Sequence, residues 1–178
     1  HDSIIDTGWT RSIGSLTIYN TYSGTISIAE GASLTITGAY TQNGAIFTTN
    51  SMAINVGSIT LNEGTFNAGT STISCGGNLT YTAGVFNATE ATIKATPNAQ
   101  HTSISFPSSS LTIANLIMEK SNAYSFSVAT DKTLIITGAL ILTDGALGGG
   151  GTFNAKGTIS IASTFDGGTT GLVLIDGN

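Results

Sequence analysis

Apolar residues alternate with Ser, Thr and Asn in short runs along most of the chain, as in Gly57-Ser-Ile-Thr-Leu61 and Ser71-Thr-Ile-Ser-Cys75. A period of two sends successive side chains to opposite faces, so each run predicts a strand with one apolar side. The same pattern marks Leu16-Thr-Ile18, Thr25-Ile-Ser-Ile28, Leu34-Thr-Ile-Thr37, Ser103-Ile-Ser-Phe106, Leu111-Thr-Ile113, Leu116 to Met118 and Tyr124-Ser-Phe-Ser-Val128. Turn-forming clusters separate the runs: Tyr22-Ser-Gly24, Glu30-Gly-Ala32, Asn62-Glu-Gly64, Asn67-Ala-Gly-Thr70 and Ala129-Thr-Asp-Lys132. Residues 96–101, Thr-Pro-Asn-Ala-Gln-His, break the alternation and predict a loop at a corner.

The runs are organised by a repeat. Residues 57–76 and 77–96 are two ungapped copies of one 20-residue unit, in which Ile59 matches Leu79, Leu61 matches Tyr81, Gly64 matches Gly84, Phe66 matches Phe86 and Ile73 matches Ile93. So short a unit cannot bury an apolar face alone and must stack on its neighbours. The arrangement that satisfies this is an all-β solenoid, a parallel β-helix in which each copy is one coil. Its inward ladder is expected to carry Ile59, Leu61, Phe66, Ser71, Ile73 and Cys75, continued by Leu79, Tyr81, Phe86, Ala91, Ile93 and Ala95. At a strand spacing of ~4.8 Å, about nine coils of roughly 20 residues give a rod on the order of 40 Å long. A two-sheet sandwich also uses short strands with regular turns, but does not require an internal copy.

Residues 1–13 do not align with the repeat and contain the only Trp and the only Arg. They are read as an end segment, a cap or a subunit-docking strand, with the solenoid occupying 14–178. Residues 38–56 form a degenerate copy, since Gly44 lies 20 residues before Gly64. Farther on, 133–138 echoes 33–38. The stretch from Gly157 to Ile175 aligns with the copy starting at Gly77, pairing Phe165 with Phe86, Asp166 with Asn87 and Leu172 with Ile93 at a separation of 79. The sequence given closes one coil after Gly157 with no polar capping element, which predicts open strand edges and either a stacking partner or a longer array.

Composition narrows the function classes. Only 8% of the 178 residues are charged, against roughly 25% in an ordinary soluble domain, so surface polarity falls to Thr, Ser and Asn. The net charge of −5 with five Lys plus Arg leaves no basic patch for a nucleic acid. No apolar run is long enough for a membrane span, so membrane insertion is not expected. There is no signal-peptide pattern, and His1 in place of Met is read as a processed or excised chain. Cys75 is the only cysteine; it has no internal disulfide partner, and its inward position marks it as a small buried residue.

The phrases GTFNAGTSTI, LTIANLIMEKS (111–121) and TLIITGALILTDGAL (133–147) resemble the Thr- and Gly-rich β-helix repeats of large bacterial and archaeal extracellular proteins, including adhesin-like and filament-forming surface proteins. The likeness covers about residues 33–178. It implies a right-handed parallel β-helix at the cell surface with a structural or adhesive role, and it brings no catalytic motif.

Many parallel β-helices process polysaccharides, and that chemistry needs clustered carboxylates. Here the ten acids, Asp2, Asp6, Glu30, Glu63, Glu90, Glu119, Asp131, Asp144, Asp166 and Asp176, are dispersed. His1 and His101 have no triad companions in sequence, and no metal-ligand spacing occurs. No catalytic residue, cofactor or metal is therefore expected. Thr60, Thr72, Thr80 and Thr92 recur on outer faces, in a column read as interrupted by Ser58, Asn78 and Lys94. A 20-residue register places Ile135, Ile141, Val173 and Ile175 outward, predicting an apolar strip. Either an internal loop covers that strip or the N-terminal Ile4, Ile5 and Trp9 of a second copy dock on it. Asn78 and Asn87 open glycosylation sequons. The expectation is a surface filament or sheath of identical subunits joined head to tail. The alternatives are a stalk or ligand-binding segment of a larger cell-surface adhesin, with surface glycans as candidate partners, and, third, a polysaccharide-processing enzyme.

Overall fold

The computed structural model describes residues 2–98, 100–121, 124–168 and 172–175; His1, Ala99 and Asp176 lie outside them. Every strand pairing is parallel, and the chain winds as a right-handed β-solenoid of about eight turns roughly 20 residues apart. Each turn has three faces. The first stacks Ser12–Ile13, 34–36, 54–56, Thr72–Cys75, Thr92–Ala95, Asn115–Glu119, 139–142 and Thr158–Ile161. The second stacks Leu16–Ile18, 40–42, 59–61, Leu79–Tyr81, Thr102–Ser105, Ser125–Val128, 146–148 and Phe165–Gly168. The third face comes in two parts: Ser3–Ile5 through Val85–Asn87 in one sheet, and Ser110–Ile113, Thr133–Ile136, Thr152–Ala155 and Leu172–Ile175 in another.

The alternation predicted from sequence is what fills the interior. Along Thr92–Ala95, Ile93 and Ala95 are buried while Thr92 and Lys94 face outward, and the same order holds for Thr72–Cys75 above it. Phe66 sits directly over Phe86, the rings 5.5 Å apart and edge to face. Tyr40 and Phe47 extend that stack, at 5.6 and 5.3 Å from Phe66. Of the expected inward ladder only Tyr81 is half-buried, its hydroxyl donating to the Gly84 carbonyl at 2.8 Å. Cys75 is a buried free thiol, as its inward phase predicts. Inside the aromatic stack, Tyr40 donates to Gln42 Oε1 (2.8 Å), and Gln42 Nε2 donates to the carbonyls of Gly44 and Thr65, both at 3.0 Å, so a fully buried amide is satisfied at the corner.

Corners close on glycine because successive backbones nearly touch there. Gly64 has φ +84°, and a Cβ on it would run into the Gly44 carbonyl of the preceding coil. This packing lets the strands Leu34–Thr48 and Ile54–Asn67 bend through corners without losing their pairing, where the sequence predicted separate short strands.

Coil length is not constant. It runs from 19 residues between Ile54 and Ile73 to 25 between Leu79 and Ile104. The extra residues around 96–101 and 119–124 shift the phase, so a strict 20-residue register slips by one face beyond them. Phe165 therefore pairs with Gly145 on the second face, whereas Phe86 lies on the third, and Leu172 pairs with Thr152 on the third face, whereas Ile93 lies on the first. Likewise 133–136 is on the third face and 34–36 on the first.

Candidate functional site

The slip corrects the expected apolar strip. Val173 and Ile175 are not outward: they continue the inward columns of Phe153 and Ala155. Those two are 0% and 1% exposed, whereas Val173 is 36% and Ile175 73% exposed. Ile161, in register with the buried Leu142, is 64% exposed. These side chains are exposed because they occupy the last described coil, and together with Leu140, Leu147, Ile159 and Phe165 they line an apolar cavity of about 570 Å³. Ile135 and Ile141 do point outward, but on the third and the first face respectively, so the four residues share no strip.

At the other end, Ser3–Ile5 and Ser12–Ile13 pair in parallel with the chain's own next coil. Ile5 is half-buried against the core, as are Ile13 and Leu16. Ile4 alternates outward and is exposed, and Trp9 lies at a turn where its indole Nε1 donates to the Arg11 carbonyl at 3.2 Å.

The outer faces carry ladders. Thr17, Thr41, Thr60 and Thr80 form an uninterrupted column on the second face, continued by Ser105. Thr72 and Thr92 belong to the first face, as does Lys94, which pairs with Glu119 at 2.9 Å. The sequence reading broke the threonine column because it merged residues of two faces. Asn87 Nδ2 donates to Asn67 Oδ1 at 2.6 Å, so a glycan on Asn87 would displace a bond between coils. Asn78 is exposed, and its Oδ1 accepts from the Ser103 backbone N–H at 2.9 Å.

One buried group was missed. Lys120 is fully buried, and its Nζ donates to the Gly76 carbonyl at 2.8 Å and to Asn98 Oδ1 at 2.6 Å. Asn98 Nδ2 also donates to the Gly76 carbonyl. Burial pushes the lysine down to about 8, with the Cys75 thiol opposing that fall; burial pushes Cys75 up to about 11, against its bond with Gly77 and the nearby Lys120 charge. Lys120 is 45 residues from Cys75 in sequence, yet its place was readable: Leu116, Met118 and Lys120 alternate in phase, which puts the lysine inward.

The acids do not converge. Among the described residues no group of three or more His, Cys, Asp or Glu could hold a metal ion. His101 Nδ1 accepts the Ser125 backbone N–H at 3.1 Å and its ring meets Tyr124 at 5.2 Å. No described helix is long and apolar enough to cross a membrane. No protein-family model, no curated protein and no solved structure matches the chain.

Proposed function

We propose that this protein is a structural subunit of an extracellular filament or sheath, in which solenoids stack end to end. The observation that carries the reading is the stacking itself: each coil is sealed by in-register columns of the next, as Phe66 over Phe86 and Phe153 over Val173, a contact that a coil of another copy can continue. An exposed apolar surface flanked by free strand edges is satisfied by another β-coil, which supplies both side chains and backbone partners. The first described coil of a second copy offers such a surface, with Ile5, Ile13 and Leu16 half-buried and its strands paired on one side among the described residues. Heterologous contacts of this kind propagate into fibres. The extracellular setting rests on the composition, with polarity supplied by Thr, Ser and Asn and only 8% charged residues.

Light scattering and negative-stain microscopy test this directly. Wild-type protein is expected to form rods that lengthen with concentration, and Val173→Asp with Ile175→Asp to remain short while keeping its β-sheet circular dichroism. A wild-type chain that stays a monodisperse monomer at every concentration refutes end-to-end stacking.

The second reading, a glycan-binding adhesin stalk, is favoured by the uninterrupted threonine column on the second face. Glycan-array binding by unpolymerised protein would support it over the filament.

A further inference from the structure

We propose that Lys120 and Asn98 join through an intramolecular amide bond, stapling two successive coils of the solenoid. The two side chains are in direct contact. The amine is sealed from solvent and touches the side-chain amide of Asn98 at 2.6 Å from Oδ1. Nζ and Nδ2 both donate to the Gly76 carbonyl, so the attacking and leaving nitrogens are held beside one another about a single acceptor. Holding reactants this way raises their effective concentration to ~10⁵–10⁸ M in well-oriented cases.

The electrostatics favour the same step. A buried ammonium ordinarily has a carboxylate partner, and among the described residues none pairs with this one. The outward Glu119 is engaged by Lys94 at 2.9 Å, and the nearby Cys75 thiol, pushed up by burial to about 11, stays protonated and uncharged at neutral pH. Burial lowers the lysine to about 8, so about a tenth of the chains carry the neutral, nucleophilic amine at neutral pH.

In the reaction Nζ attacks Cγ of Asn98. The Nζ–Cγ bond forms and the Cγ–Nδ2 bond breaks. A proton from Nζ passes to Nδ2, which leaves as ammonia. No oxidant or co-reactant is needed, and the product replaces a desolvated charge with a neutral amide.

The position also suits a staple. Gly76, Asn98 and Lys120 follow the first-face strands of three successive coils. At this level coils are longest and the third-face ladder divides into two sheets, between Val85–Asn87 and Ser110–Ile113. A covalent link between Asn98 and Lys120 ties successive coils beside that break in the third-face ladder.

Intact-mass and tandem mass spectrometry of the purified chain test the proposal. The expected mass is that of the sequence less one ammonia, with fragment ions from a branched peptide joining Asn98 to Lys120. Lys120→Arg and Asn98→Ala are expected to return their full sequence masses. A wild-type chain of full mass, whose Lys120 amine is reductively methylated in denaturant, overturns it. So does an ammonia loss that persists in Lys120→Arg, which would place a succinimide at an asparagine. The wild-type spectrum decides the matter even if a variant fails to fold.

Discussion

If coils are held by columns of identical residues, the Phe66 and Phe86 rings must be energetically coupled, and a double-mutant cycle measures that coupling. Phe66 is 1% exposed and meets Phe47, Tyr40 and Phe86 with centroids 5.3, 5.6 and 5.5 Å away. Removing a buried Phe ring costs about 3–5 kcal/mol, a large part of the ~5–15 kcal/mol that keeps a domain folded. Phe86 is 7% exposed and has fewer ring partners, Phe66 and Tyr81, so Phe86→Ala should fall at the lower end of that range. The edge-to-face contact between them contributes about 0.5–1.5 kcal/mol beyond burial. The double variant should therefore be less destabilised than the sum of the two singles by about that amount. Urea unfolding followed by circular dichroism, extrapolated linearly, gives each value. Phe153 serves as the control, since it lies coils away against Leu134 and Phe126, and Phe66→Ala with Phe153→Ala should add within about 0.5 kcal/mol. Equal additivity for both pairs would show that Phe66 and Phe86 do not stack, and with it the coil register would fall.

Gly64 and Gly31 both have positive φ, but a Cβ on Gly64 meets the backbone of the coil beside it and one on Gly31 meets nothing within 4 Å. Gly31→Ala should thus cost about the 1–2 kcal/mol of a left-handed residue, and Gly64→Ala measurably more, by thermal or urea midpoint. Titration separates free from bonded Lys120. A free amine lowered from 10.5 to about 8 binds fewer protons folded than unfolded across that interval, so stability rises with pH there, on the order of 3 kcal/mol in all. Cys75, raised from 9.0 to about 11, holds its proton longer when folded, so stability falls between those values. The bonded wild type should show only the fall above pH 9, and Asn98→Ala should add a rise in melting temperature from pH 8 to 9.

The strand pattern, the 20-residue unit and the position of Cys75 were legible because they depend on local alternation and on copies without gaps. Ile73 and Ile93 stack as their sequences align, and so do Phe66 and Phe86. The alternation of Leu116, Met118 and Lys120 carries the same inward signal, but the strand read from sequence stops at Met118 and leaves the lysine out. The strip predicted from Ile135, Ile141, Val173 and Ile175 did not survive, and the cause is specific. Periodicity tells which residues share a face only while coil length holds, and corners 96–101 and 119–124 add residues that leave each strand looking the same. Val173 and Phe153 are both apolar whether they face in or out.

What the chain determines alone is therefore one-dimensional: short strands, their inward and outward sides, and a pitch that demands stacking. The tertiary structure decided which strand lies over which after the long corners, that Val173 and Ile175 continue inward columns instead of lining a side, and that Lys120 meets Asn98 and Gly76. Those outcomes depend on how coils of unequal length pack on one another. Backbone hydrogen bonding is satisfied in any register, so only the fit of side chains in three dimensions selects among them.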